Sequence, residues 1–117
     1  MSMNGISKST IASILQFSKD RNWEQFHNPK DLALSISLEA AELLECFQWS
    51  GADVEVKEKR PQMMEELADV MVYCILMADA LNVDIDCIVS DKMAWNNIKY
   101  PVEKSYGNAK KYNELTE

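Results

Sequence analysis

The alternation of apolar and polar positions divides the chain into helices. Ile11, Ile14, Leu15 and Ser18 recur at spacings of three and four, which predicts a first helix with one buried stripe. Ser7 or Ser9 can cap it, and it should end near Arg21-Asn22. A short aromatic-rich connection, Trp23 to His27, leads to Asn28-Pro29, a strong helix start. Asn serves as N-cap, Pro tolerates the first helical position, and Asp31 falls in the first turn. No helix breaker follows before about Trp49. Leu32, Leu34, Ile36, Leu38, Leu43, Leu44 and Phe47 spread around much of this helix, more widely than a single amphipathic stripe requires.

Ser50-Gly51-Ala52-Asp53 predicts a break and then a short helical turn through Glu58. A third helix is expected from Pro61 to about Leu81, with Met63, Leu67, Val70, Met71, Cys74, Ile75, Met77 and Ala78 on a broad apolar face and Asn82 closing it. A fourth opens at Asp84 or Asp86, carries Ile88, Val89, Met93, Trp95 and Ile98, and stops near Tyr100, because Pro101 drives the residue before it out of the helical region. Residues 102–117 read as an extended basic tail with a turn at Tyr106-Gly107-Asn108. Nothing alternates with period two for long enough to be a strand. The expected fold class is all-α, a bundle of about four helices.

Composition narrows the setting. With 117 residues, 47% of them hydrophobic, residues 1–117 should form a single domain with a modest core. The longest apolar run, Val70 to Ala78, is far short of the ~20 residues that span a bilayer, and Met1 to Thr10 lacks a signal-peptide core, so a cytoplasmic protein without membrane contact is expected. Cys46, Cys74 and Cys87 lack CxxC spacing and read as small buried hydrophobes. A net charge of -7 argues against binding nucleic acid polymers. Its distribution is uneven: nine acidic residues lie between Glu39 and Asp69, whereas Lys92, Lys99, Lys104, Lys110 and Lys111 lie toward the end. An acidic middle suits metal and a basic tail suits phosphate.

The acidic residues fall into two similar motifs, Glu39-x-x-Glu42 and Glu66-x-x-Asp69. At ~100° per residue, positions three apart diverge by only ~60°, so each pair shares a helix face. Four carboxylates from two facing helices would suit a hard divalent cation such as Mg²⁺, with positions left for water and phosphate. Glu45 and Glu65 rank below these four. Solvated helix faces are the bland alternative; the flanking Leu38, Ala40, Ala41 and Leu43, and the apolar run after Asp69, bury these helices over much of their surface and tip the balance toward cation binding. A di-iron carboxylate bundle would require a Glu-x-x-His on two helices, and His27 is in neither motif. Trp23, Phe26, His27, Phe47, Trp49 and Tyr73 could build a slot for a flat base, with ordinary core packing the alternative for Phe47 and Tyr73.

From WEQFHNP (23–29) through LALSISLEAAELLECFQW and EELADVMVYCILMADALNVD to KMAWNNIKYP and GNAKKY, the chain resembles the MazG-like all-α nucleoside triphosphate pyrophosphohydrolases, and among them most the dCTP pyrophosphatase branch. The resemblance implies Mg²⁺ ligands at Glu39, Glu42, Glu66 and Asp69, with Glu39 or Glu42 handling the attacking water. It implies phosphate contacts at Lys92, Asn96, Lys99, Lys110, Lys111 and Tyr112, and a base pocket that includes Trp23, His27 and Trp49, to which the aromatic pattern adds Phe47 and Tyr73 as candidates. Lys99 stands where relatives often carry Arg, which would weaken a bidentate phosphate contact. The implied reaction converts a nucleoside triphosphate, dCTP or a modified dCTP first, to monophosphate and pyrophosphate, in the service of nucleotide-pool cleaning. The implied assembly is a dimer or a dimer of dimers, which also fits the width of the apolar faces. The rival reading is a non-catalytic helical module that binds nucleotide or protein.

Overall fold

The computed structural model describes residues 5–115; the first four and last two positions of the expected domain lie outside them. All regular structure among the described residues is helical. The chain divides into two compact units, Met1–Asn82 and Val83–Glu117.

The first unit holds α1 (Lys8–Asp20), α2 (Pro29–Glu45) and α3 (Arg60–Leu81). Local chemistry sets most of their ends. Ser7 Oγ accepts the Thr10 N–H at 3.2 Å and starts α1. Asn28 Oδ1 accepts the Asp31 N–H at 2.9 Å, while Asn28 Nδ2 donates to the Asp31 carboxylate at 2.7 Å, so the residues that announced α2 cap it reciprocally. Asn82 closes α3 in the left-handed conformation, φ 53°, which Asn tolerates better than most residues.

The far end of α2 departs from expectation: the regular helix stops at Glu45 rather than near Trp49. Cys46, Phe47 and Gln48 donate to the carbonyls three residues back, which tightens the chain, and Trp49 then turns left-handed at φ 65°. A bulky residue there is uncommon, so no local breaker marked the site. Gly51, at φ 61°, completes the reversal. Asp53 Oδ1 then accepts the Glu55 and Val56 N–H groups at 3.1 and 3.0 Å, which holds the loop and keeps the Asp53 carboxyl below its ordinary range.

The principal helix packing of this unit is α2 against α3, with α1 on α3. Leu32, Ile75, Leu76 and Ala78 are buried, together with Cys46 and Val56 from the connecting loop and Ser18 from α1. Leu34, Leu38 and Leu44 on α2 and Met64 and Leu67 on α3 stay more than half exposed.

The second unit contains α4 (Ile85–Lys99) and a short α5 (Val102–Ser105). Asp84 Oδ1 accepts the Cys87 N–H at 3.1 Å and caps α4. The segment after Pro101 is not simply extended: Pro101 begins one helical turn, Gly107 reverses the chain at φ 77°, and Tyr112–Glu114 form a 3-10 turn. Cys87 is exposed and Cys74 half-buried, so only Cys46 behaves as the small buried hydrophobe that the pattern suggested. Cys87 faces outward because α4 buries none of its residues fully. No helix among the described residues is long and apolar enough to cross a membrane.

Candidate metal centre and base cavity

The packing of α2 on α3 turns the two acidic faces toward each other. Glu39, Glu42, Glu66 and Asp69 each offer a carboxylate oxygen, and these oxygens all lie within 4.8 Å of one another. Glu39 and Glu66 are half-buried, and Oε2 of each is buried without a hydrogen-bond partner. Buried oxygens without donors are costly, so the cluster as it stands lacks a counter-charge.

The proton affinities agree. Burial pushes the Glu39 carboxyl up from its ordinary value, helped by a hydrogen bond to Glu42 and the charges of Glu42 and Asp69. Glu66 is also raised, chiefly by its hydrogen bond to Glu42, then by burial and by the charges of Glu42, Asp69 and Glu39. Oxygen-only donors, mutual repulsion and two orphaned oxygens fit a hard divalent cation, for which carboxylate is the preferred ligand.

Next to the cluster is a cavity of ≈390 Å³ whose wall includes Glu39 and Asp69. Three of the residues expected at a base pocket, Trp23, His27 and Tyr73, line it as well. Phe47 and Trp49 are not in its lining; Phe47 is half-buried and Trp49 is 92% exposed in the turn after α2. The Trp23 wall is fixed to α1: its N–H donates to the Ser18 carbonyl at 2.9 Å, and its ring meets Phe17 edge-on at 5.7 Å between centroids. Arg21 also stacks on Phe17, its guanidinium carbon 3.6 Å from the ring centroid. His27 also borders two neighbouring cavities.

Sequence reasoning passed over the contribution of α1, where Ser13, Ile14, Phe17 and Ser18 form one wall, and of Val72 and Leu76 on α3. Leu76 lies seven residues beyond Asp69, so extending the carboxylate face by two turns would have found it. The α1 wall had only the polar Ser18 within an apolar stripe as its signal.

In the second unit, Lys92, Asn96 and Lys99 are spaced along one face of α4. The Lys99 ammonium sits 4.6 Å from the Tyr112 ring centroid and 5.7 Å from that of Trp95, which brings two of the expected phosphate residues together. Lys110 and Lys111 are exposed, and the Lys110 N–H donates to Asn108 Oδ1 at 3.1 Å.

In this all-α chain, four carboxylates converge from two packed helices beside a cavity whose lining includes Trp23, His27 and Tyr73. The profile of the MazG-like family matches residues 34–115, and the chain belongs to that family. The chain is similar to dCTP pyrophosphatase 1 of Rattus norvegicus, 39% identical over 105 residues, and to that of Homo sapiens, 36% identical over 105. Each match covers 86% of this chain and 62% of the relative, so the chain spans less than two thirds of the length of these curated relatives. A pyrophosphatase from Archaeoglobus fulgidus DSM 4304 of known structure superposes with a TM-score of 0.76 at 36% identity, over 86% of this chain and 97% of that one.

Proposed function

We propose that the protein hydrolyses a nucleoside triphosphate between the α- and β-phosphates, giving monophosphate and pyrophosphate, with dCTP or a modified dCTP preferred. The observation that carries this reading is the cluster of Glu39, Glu42, Glu66 and Asp69 opening onto a cavity walled by Trp23, His27 and Tyr73. The dCTP pyrophosphatase 1 relatives and the archaeal pyrophosphatase support it.

The four carboxylates would hold Mg²⁺, which when bound neutralises phosphate charge and acidifies a coordinated water. Glu39 or Glu42 orients the attacking water or accepts its proton; the raised proton affinity of Glu39 suits the second task. Trp23 and Tyr73 stack on the base and His27 hydrogen-bonds its edge, with Phe47 and Trp49 as further base contacts. Lys92, Asn96, Lys99, Lys110, Lys111 and Tyr112 bind the phosphates and stabilise charge developing on the pyrophosphate leaving group. Residues 1–117 act as one MazG-like domain, and the exposed apolar residues of α2 and α3 are covered in a homodimer or homotetramer. The setting is cytoplasmic and the role is nucleotide-pool cleaning.

The test is incubation with a panel of dNTPs and NTPs plus Mg²⁺, followed by product analysis. Pyrophosphate release, fastest from dCTP or its 5-modified forms, is the expected result. Orthophosphate release, or no turnover of any triphosphate, would overturn the reading.

A further inference from the structure

Trp23 borders two cavities at once. The ≈390 Å³ cavity and a neighbouring one of ≈350 Å³ share Trp23, His27 and Tyr73 in their linings. The indole is 44% exposed and the Phe17 ring beside it 49%, so core packing alone fixes neither. A ring with open space around it can reorient, and a ligand that stacks on it must then bear the cost of ordering it.

The end of α1 supplies a restraint. Asn22 turns left-handed at φ 53°, its N–H donates to the Lys19 carbonyl at 3.0 Å, and the Trp23 N–H donates to the Ser18 carbonyl at 2.9 Å. This is a Schellman closure, in which the residue after the left-handed one packs on a side chain of the preceding helix. Here the two are Trp23 and Phe17, with ring centroids 5.7 Å and planes 72° apart. Arg21 in turn holds Phe17 by two contacts. Its guanidinium carbon is 3.6 Å from the ring centroid, and its Nη1 donates to the Phe17 carbonyl at 3.0 Å. Among the described residues the one ion pair is Lys57 with Glu55, so no carboxylate holds this guanidinium. A cation suits the C-terminal end of any helix, but that preference alone requires no contact with a ring.

We propose that Arg21 is a positioning residue for nucleotide binding: held on the Phe17 ring at the end of α1, it fixes the plane of the Trp23 indole on which the base stacks. This rests on the nucleotide reading of the cavity. Phe17 and Trp23 both line the larger cavity, together with Glu39 and Asp69 of the carboxylate cluster, so a shift of either ring is felt by a ligand there. The Schellman closure places the Trp23 backbone but leaves the indole its own torsions. Phe17 limits those torsions only while Phe17 is itself held, and Arg21 holds it. Because Arg21 acts through Phe17 and Trp23, its loss weakens the grip on the base and leaves the carboxylate cluster untouched.

Steady-state hydrolysis of dCTP with Mg²⁺ is measured for the full chain, for Arg21→Met and for Arg21→Lys. Inorganic tripolyphosphate, which carries phosphates and no base, serves as a competing inhibitor. Arg21 is exposed at a helix end, so both variants should fold, and circular dichroism confirms it. Arg21→Met should raise KM about fivefold, the scale of one exposed cation–π contact, and leave kcat within about twofold. Its inhibition constant for tripolyphosphate should stay at the unaltered value. Arg21→Lys keeps a cation for the ring and a donor for the carbonyl, and should hold KM within about twofold of the unaltered protein. An unchanged KM in Arg21→Met, or an equal rise in both variants, would overturn this inference and leave the pyrophosphohydrolase reading standing. A rise in KM with tripolyphosphate binding weakened in step would do the same, because it marks a general loosening of α1. No pyrophosphate from any triphosphate would overturn that reading and this inference with it.

Discussion

Replacing Glu39 by Gln should uncouple the stability of the protein from divalent metal. The carboxylate oxygens of Glu39, Glu42, Glu66 and Asp69 converge within 4.8 Å, and two oxygens are buried without donors. A cation that binds only the folded state adds stability by mass action: at a hundred times its dissociation constant, about 2.7 kcal/mol. At about 2.1 cal/mol/K per residue, the unfolding entropy of 117 residues is near 250 cal/mol/K, so 1 kcal/mol moves Tm by about 4 °C. Mg²⁺ at that excess should therefore raise Tm by about 10 °C over the EDTA-treated protein. Glu39→Gln removes one charged ligand. A hundredfold loss of affinity leaves about 0.4 kcal/mol at the same Mg²⁺ concentration, a shift of about 2 °C. The assay is thermal denaturation of both proteins in EDTA and in Mg²⁺, followed by circular dichroism. Equal Mg²⁺-induced shifts in the two, or no shift in the unaltered protein at any millimolar concentration, would refute the reasoning.

The remaining predictions concern stability. Glu39 binds its proton more tightly in the folded state, so its contribution is fully present below about 4.5, its ordinary value, and is lost as pH rises through the higher folded value. In EDTA the Tm advantage of Glu39→Gln over the unaltered protein should therefore grow with pH above about 4.5; an advantage independent of pH would contradict the repulsion. Leu32→Ala, at a position 1% exposed between α2 and its neighbours, should cost about 3 kcal/mol and lower Tm by roughly 12 °C in the same melt. Asn28→Ala removes the cap of α2 and should cost about 1 kcal/mol, read as a Tm loss of about 4 °C.

What could be read from the sequence was local. Asn28, Pro29 and Asp31 announce the start of α2 through chemistry contained within four residues, and Asp84 does the same for α4. The three-residue spacing of each acidic pair places both carboxylates on one face whatever the helix packs against. The end of α2 was hidden because Trp49 takes a left-handed conformation that its own side chain disfavours, so the loop as a whole imposes it. The one-turn α5 was hidden because Val102 to Ser105 carry no apolar period. The α1 wall of the cavity depends on how α1 meets α3, and no spacing within either helix specifies that contact. Ser18 was legible as a stripe position, but its place at the junction of two cavities was not.

Catalysis at the four-carboxylate cluster is tested by product analysis with dCTP and Mg²⁺ for the unaltered protein and for Asp69→Ala, each first checked for native helicity. The former should give dCMP and pyrophosphate in equal amounts and the latter no turnover above background. Undiminished pyrophosphate release by folded Asp69→Ala would contradict it, because the four-carboxylate cluster would then not be the catalytic centre.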